Sequence, residues 1–315
     1  MAQESISVSP ATARAREAGR FRAQSPFART VRRLLHNRSA QVGLVIISML
    51  ALVAIFADVI APYAYDQQIR QAGLRRRSPP CIHLLGCDRD KPQLLMGLDG
   101  NFRDLFSRVV YGSRLSLQIG FLTTGAAILI GTLLGAVAGY AGGWADNLIM
   151  RAMDVLLAFP SLLLAIAIVS VLGPGLINTL LAVAIVSIPI YARVVRSSVL
   201  SVKEMDYIAA SHALGASSLH ILFARILPNS LTPVIVVGTL GIATAILDAA
   251  GLSFLGLGAQ PPTPEWGLML GEERNSVFNA PHLVFFPGIA IMITVLGFNL
   301  LGDGLRDALD PRRRV

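Results

Sequence analysis

Residues 206–229, DYIAASHALGASSLHILFARILPN, lie between two apolar runs, LINTLLAVAIVSIPIYARVV at 176–195 and LTPVIVVGTLGIATAILDAA at 231–250. Each flanking run has the roughly 20 apolar residues that a helix needs to cross the hydrocarbon core of a bilayer. The segment between them is polar and helix-forming, which a chain that merely held itself in lipid would not need. It reads as a surface on the cytoplasmic side, built to receive another protein.

Working outward, four more apolar runs are long enough to cross, at 41–62, 115–139, 148–172 and 283–302. The chain is 54% hydrophobic and 15% charged, with a mean hydropathy of +0.61, whereas a soluble domain carries about 25% charged residues. Only helices and closed barrels satisfy their backbone groups in lipid. The alternating stretches of about ten residues that mark a membrane barrel are absent. The expected fold is an all-α polytopic membrane protein with six transmembrane helices and a cytoplasmic helical insert between the fourth and fifth.

The net charge of +8 follows from topology, because cytoplasmic loops retain Lys and Arg. No aromatic residues interleave the basic runs, so nucleic acid is not the expected partner; membrane lipid is. Eight arginines precede Gln41, in a tail too long for the basic region of a signal peptide, so 41–62 reads as a retained anchor. Arg14 to Arg38, Arg193 to Arg225, Arg306 and Arg312–Arg314 place both termini and the 206–229 insert in the cytoplasm. Residues 251–282 fall outside, with Arg274 set against Glu265, Glu272 and Glu273. The loop 63–112 also falls outside although it carries Arg70, Arg75, Arg76, Arg77, Arg89, Lys91, Arg103 and Arg108. The expected divisions are a cytoplasmic tail (1–40), an anchor helix (41–62), an extracytoplasmic loop with a cysteine-containing insert (63–112), a core of five spans (113–305) and a cytoplasmic tail (306–315).

The spans are nearly bare of charge. Asp58, Arg151, Asp154, Arg193 and Arg196 fall at span ends, and Asp248 lies near one. Ion- and proton-driven transporters bury ionisable groups at mid-membrane, so the energy source lies elsewhere. The sequence holds no GxxxxGK[ST] phosphate loop, and no nucleophile–base pair or metal cluster marks it as an enzyme. Pro160, Pro189 and Pro233 sit within or at the start of spans. They are candidate hinges of a pore-lining helix, or ordinary membrane-helix prolines. Gly120, Gly125, Gly131, Gly135 and Gly139 read as helix-packing positions, with Gly131 and Gly135 at small-xxx-small spacing.

Within the insert, residues 208–214 favour helix and Gly215 ends it. Ser217 or Ser218 caps a second helix through Leu219–Phe223, and Pro228 is expected to break that helix before the next span. Such a helix pair can slot into a groove on a partner. In the outer loop, Cys81 and Cys87 of CIHLLGC are suited to a disulfide in an oxidising compartment. Free thiols, or a metal held together with His83, are the other readings.

The insert resembles the EAA loop of ABC importer permeases, E-A-A-x-x-x-G followed downstream by a hydrophobic-x-Leu-Pro. Aligned on Gly215, the family glutamate falls on Ala209, its alanines on Ala210 and Ser211, and the ending on Leu227 and Pro228. Four more segments extend the resemblance: Met96–Leu117 (MGLDGNFRDLFSRVVYGSRLSL), Met150–Leu164 (MRAMDVLLAFPSLLL), Leu252–Leu270 (LSFLGLGAQPPTPEWGLML) and Asn299–Arg312 (NLLGDGLRDALDPR). Together they are similar to the dipeptide/oligopeptide/nickel permease group, C-type subunit. Leu98 and Phe102 depart from the family's Thr and Gly.

The resemblance implies a non-catalytic permease subunit of the cytoplasmic membrane. It would pair with a homologous B-type permease and be driven by two ATPase subunits, which bind the ATP and Mg, and it would be fed by an extracytoplasmic binding protein. This chain would hold no cofactor of its own. The coupling residues it implies are Asp206, Tyr207, Ala209, Ala210, His212, Gly215, Ala216, Ser217, Arg225, Leu227 and Pro228. Because Ala209 replaces the glutamate, docking is expected to rest on shape and apolar contact around Gly215. Di- or oligopeptides are the expected cargo. Nickel chelates or other small solutes, or a channel-like component without an ATPase, are the alternatives.

Overall fold

In the computed structural model, which describes residues 31–71 and 74–309, every long element is an α-helix. In chain order these are α1 (Arg38–Ile55), α2 (Leu105–Ala141), α3 (Gly143–Leu157), α4 (Ser161–Leu172), α5 (Leu176–Lys203), α6 (Asp206–Ala213), α7 (Thr232–Phe254), α8 (Trp266–Glu273) and α9 (His282–Leu309). The 1–30 portion of the expected N-terminal tail and Arg312–Arg314 lie outside the described residues. Five helices (α1, α2, α5, α7 and α9) are long and apolar enough to cross a membrane, and α3 with α4 makes a sixth span when counted as one.

The third span departs from a straight crossing. Helices α3 and α4 meet at 92°, because Pro160, with φ −56° and ψ 129°, has no N–H to continue the ladder and holds an extended backbone. Helix α4 has 12 residues, about 18 Å at 1.5 Å per residue, too short for a crossing of about 30 Å. Pro233 sits in the first turn of α7, where its missing N–H would have had no partner anyway, so it starts a helix and does not kink one. Pro189 lies buried inside α5, and Pro287, not singled out from the sequence, lies inside α9.

Boundaries move with the caps. Helix α2 begins at Leu105, not beyond 112, because the Asp104 carboxylate accepts from Ser107 N at 2.8 Å and Ser107 Oγ at 2.7 Å. Helix α1 begins at Arg38, where Asn37 Oδ1 accepts from Ser39 N and Ala40 N, and ends at Ile55, followed by the short turn Ala57–Ile60. Arg306 is still inside α9.

The core is organised by the packing of α2 on α5. A β-carbon on Gly131 would stand 2.7 Å from Tyr191 Cβ, one on Gly135 would collide with the Ala192 carbonyl oxygen, and one on Gly139 would meet Val199 Cγ1 at 2.9 Å. Bare backbone along this face is what lets the two helices approach. Gly120 serves α7 in the same way, against Ile242 and Ile246, but Gly125 faces open space and packs against nothing.

The two ends of the bundle follow from pairs of residues. At one end, Asn37 Nδ2 donates to Asp307 Oδ2 at 3.1 Å and Lys203 Nζ donates to the Tyr140 carbonyl at 2.8 Å. At the other, the 63–104 loop meets α8. Arg103 pairs with Asp99 (2.6 Å) and Glu272 (3.1 Å), Arg108 with Asp99 (3.6 Å) and Glu272 (3.5 Å), and Arg77 with Glu273 (2.7 Å). Arg108 is 1% exposed and also donates to the carbonyls of Tyr65, Pro262 and Thr263. The positive charge that sat uneasily in a loop expected outside is therefore partly neutralised by the acidic residues of 251–282.

Helix α8 is itself capped by buried Glu265, whose carboxylate accepts from Gly267 N (2.9 Å) and Leu268 N (2.7 Å). Burial pushes its carboxyl above the usual carboxylate range, against the pull of those two N–H donors. Trp266 lies buried beside it, donating from Nε1 to the Val109 carbonyl at 3.0 Å.

Two stability predictions follow from this packing. Gly135→Val should force α2 off α5, costing about 1–3 kcal/mol or more as overpacking, while Gly125→Val on the same helix should be near neutral. Thermal aggregation of the detergent-solubilised chain compares them. Arg108→Met removes a buried donor to the carbonyls of Tyr65, Pro262 and Thr263 and leaves Asp99 and Glu272 to Arg103 alone, and should cost about 3–5 kcal/mol. Arg75→Ala, at an exposed position, should leave the same aggregation temperature within error.

Candidate coupling interface

Helix α6 carries Asp206 in its first turn, where a carboxylate favours the helix N-terminus, and buries only Ile208. That side chain joins a cluster with Val195, Val199 and Val202 of α5. Asp206, Tyr207, Ala209, Ala210, His212 and Ala213 are all exposed.

Gly215 terminates α6 with φ +80°. Its N–H donates to the His212 carbonyl at 2.9 Å, and the Ala216 N–H reaches back to the Ser211 carbonyl at 3.1 Å. This is a Schellman ending, and the left-handed residue it requires is at no steric cost only as glycine. Nothing stands within 4 Å of where its β-carbon would be, so the glycine is present for its φ and its open approach and not for internal packing. Ala216 turns inward onto the core cluster.

Ser217 caps the next helix, accepting from His220 N at 3.4 Å. The helix does not stop at Pro228. It runs through Ser218–His220, a π-helical turn at Ile221–Ile226, and Leu227–Ser230, which carries Pro228 in its first turn. The wider turn accommodates a residue that cannot donate. Side chains also supply hydrogen bonds here, from Asn229 Nδ2 to the Arg225 carbonyl at 2.6 Å and from Ser230 Oγ to the Ile226 carbonyl at 2.9 Å. Asn229 Nδ2 also reaches Tyr207 Oη at 3.3 Å, clasping the two helices together. Ile221, Leu222 and Ile226 are buried, and Leu227 packs against the same cluster; Arg225 and Pro228 are exposed.

The residues named from sequence thus divide. Asp206, Tyr207, Ala209, Ala210, His212, Gly215, Ser217, Arg225 and Pro228 present themselves outward, while Ala216 and Leu227 anchor the segment. Sequence reasoning did not single out Leu214 and Leu219 as surface residues, yet they are 89% and 70% exposed. They flank Gly215, and their apolar character at the tip of a polar turn was the available signal. Behind the segment, Arg196 pairs with Asp146 and Arg193 with Asp154, each at 2.5 Å, tying α5 to α3.

Beside this segment a cavity of about 680 Å³ opens between α5, α7 and α9, with Ser198, Asn229, Thr232, Pro233 and Arg306 on its walls. A second, of about 510 Å³, lies at the opposite end, walled by Asp58, Tyr65, Tyr111, Arg114, Gln118 and Thr263. Of the candidate hinges, Pro233 lines the first cavity, Pro160 forms the α3–α4 bend and Pro189 is buried. In the 63–104 loop Cys81 and Cys87 form a disulfide with Cα atoms 5.4 Å apart. His83 Nε2 lies 2.8 Å from the Lys91 carbonyl.

Residues 131–315 match the family described as binding-protein-dependent transport system inner membrane component, and residues 25–80 match the N-terminal transmembrane domain of oligopeptide transport permease C. The chain belongs to the binding-protein-dependent permease family. It is 50% identical over 295 residues, 93% of this chain and 92% of the relative, to the dipeptide transport system permease protein DppC of Alkalihalophilus pseudofirmus. It is 47% identical over 277 residues (88% and 89%) to the di/tripeptide permease DppC of Pseudomonas aeruginosa. It is 45% identical over 289 residues (92% and 92%) to the glutathione permease GsiD of Pectobacterium atrosepticum. Among solved structures, the inward-facing MetNI methionine ABC transporter aligns with a TM-score of 0.53 at 19% identity, over 64% of this chain and 96% of that one. That likeness is one of fold. The permease is a C-type inner-membrane subunit of an ABC importer, spanning the membrane several times.

Proposed function

We propose that this permease carries di- and oligopeptides as one half of a translocation path, with a homologous B-type permease forming the other. The reading rests on one observation: 45–50% identity, over about nine-tenths of the chain, to permeases named for dipeptides, di/tripeptides and glutathione. Two ATPase subunits drive the pair and bind the ATP, and an extracytoplasmic binding protein delivers the peptide. The 206–230 helix pair, both termini and the 680 Å³ cavity face the cytoplasm. The loop 63–104, α8 and the 510 Å³ cavity face outward.

Coupling runs through the helix pair. The surface of Asp206, Tyr207, Ala210 and His212, with Leu214 and Leu219 at its tip, seats in a cleft of one ATPase. Ala209 offers no charge where the family glutamate stands, so the exposed leucines supply apolar contact of the kind that anchors interfaces. The open approach at Gly215 lets the turn enter the cleft. Motion of the ATPase then reaches the bundle through Ile208, Ile221 and Ile226, which pack on α5.

Reconstitution of the full transporter in proteoliposomes tests the cargo. Uptake of a labelled di- or tripeptide should require ATP and the binding protein, and uptake of a nickel chelate in its place would overturn the peptide assignment. Gly215→Val places a β-branched residue at φ +80°, a strain of about 1–3 kcal/mol, and fills the approach. The chain should still insert and pair, with peptide uptake reduced at least tenfold relative to ATP hydrolysis. Unchanged uptake and unchanged stimulated hydrolysis would refute the docking role.

A further inference from the structure

Leu84 and Leu85 are 94% and 79% exposed, side by side in the short 3₁₀ turn His83–Leu85. They stand at the tip of a small ring closed by the Cys81–Cys87 disulfide. Backbone bonds from Leu85 N and Cys87 N to the Ile82 carbonyl close the ring again from within, and Gly86 turns the chain at φ +95°.

The ring stands on a firm base. Cys81 and Leu94 exchange both backbone hydrogen bonds at 2.8 Å, and Ile69, Cys81, Leu94 and Leu98 bury one another beneath it. Arg77 and the Gly100 N–H both hold Glu273, at 2.7 and 2.8 Å, fixing the loop to the outer end of the bundle. The ring lies between the two family matches, 25–80 and 131–315.

A disulfide and a buried base that serve only to hold two leucines in water would have no purpose in the free chain. Lipid is a poor occupant. Asp88, Arg89, Asp90 and Lys91 follow at once and are all exposed, and charges drawn toward hydrocarbon are expensive. An apolar centre with a charged rim is instead the pattern of a protein–protein anchor, and a pre-closed loop loses little freedom on docking.

We propose that Leu84 and Leu85 form a docking knob for the extracytoplasmic binding protein, inserting into an apolar pocket on the lobe that meets this chain. This rests on the orientation and importer reading proposed above. The knob stands at the same end of the bundle as the 510 Å³ cavity and opposite the coupling segment, where a delivering protein has to arrive.

The test uses the whole transporter in nanodiscs, titrated with its peptide-loaded binding protein while ATP hydrolysis is followed. Leu84→Glu/Leu85→Glu alters only exposed side chains. It should raise the half-maximal binding-protein concentration about tenfold or more, leaving basal hydrolysis and the saturated rate unchanged, while Leu84→Met/Leu85→Met keeps the wild-type value. A photo-crosslinking residue at position 84 should yield an adduct with the binding protein. Equal half-maximal concentrations for the glutamate variant and wild type, or an adduct with lipid alone, overturn the knob and leave the importer reading standing. A wild-type complex that no binding protein stimulates overturns the importer reading and the knob with it.

Discussion

The seam between α2 and α5 is the constraint on which the rest of the molecule depends. Gly131, Gly135 and Gly139 bring the two backbones so close that side chains of α5 lie against bare main chain. In lipid, helices gain little from hiding apolar surface from one another, so close backbone approach and dispersion must hold them. The seam fixes the inner face of α5, including Val195, Val199 and Val202. Those valines in turn form the floor on which Ile208, Ile221 and Ile226 sit. The exposed face of the 206–230 segment is thus positioned by a packing contact in the span before it.

The end of the bundle that carries α8 is organised by charge. Arg103 and Arg108, buried among Asp99, Glu272 and main-chain carbonyls, lock the loop before α2 onto α8. Buried ion pairs of this kind add little net stability over an apolar core but are costly to break. What they provide here is a fixed geometry: a loop whose own strand pairing amounts to isolated bridges becomes a platform beside the 510 Å³ cavity. The opposite end is tied by Arg193–Asp154 and Arg196–Asp146. The middle of the bundle keeps few charges, in keeping with an energy supply that lies in other subunits.

The 206–230 segment shows how local rules and context share the work. Gly215 and Ser217 behave as their chemistry dictates, one ending a helix through its left-handed conformation and the other capping the next. Pro228 does not. Its missing N–H was expected to stop the helix, but a π-helical turn and hydrogen bonds from Asn229 and Ser230 carry the chain through. The tertiary contacts of Ile221, Leu222 and Ile226 hold that turn in place, and no local pattern announces them.

The sequence by itself determined the class of the protein. Run length and apolarity are set by the bilayer's thickness, so the spans were legible, as was the polar insert that separates two of them. The glycine spacing marked Gly131 and Gly135 as a packing face, because only a side chain of hydrogen allows so close an approach, but not the helix they meet. Tertiary structure alone decided where the third span bends, since Pro160 states that a ladder breaks but not by what angle. It decided that Gly125 packs on nothing and that Arg77, Arg103 and Arg108 meet Glu272 and Glu273, because those partners are remote in sequence. It also decided which residues of the 206–230 segment face outward: Leu214 and Leu219 are apolar, and only the Gly215 turn shows that they stand exposed at its tip. Burial is a property of the assembled bundle, and a pattern along one helix cannot say which neighbour, if any, will cover it.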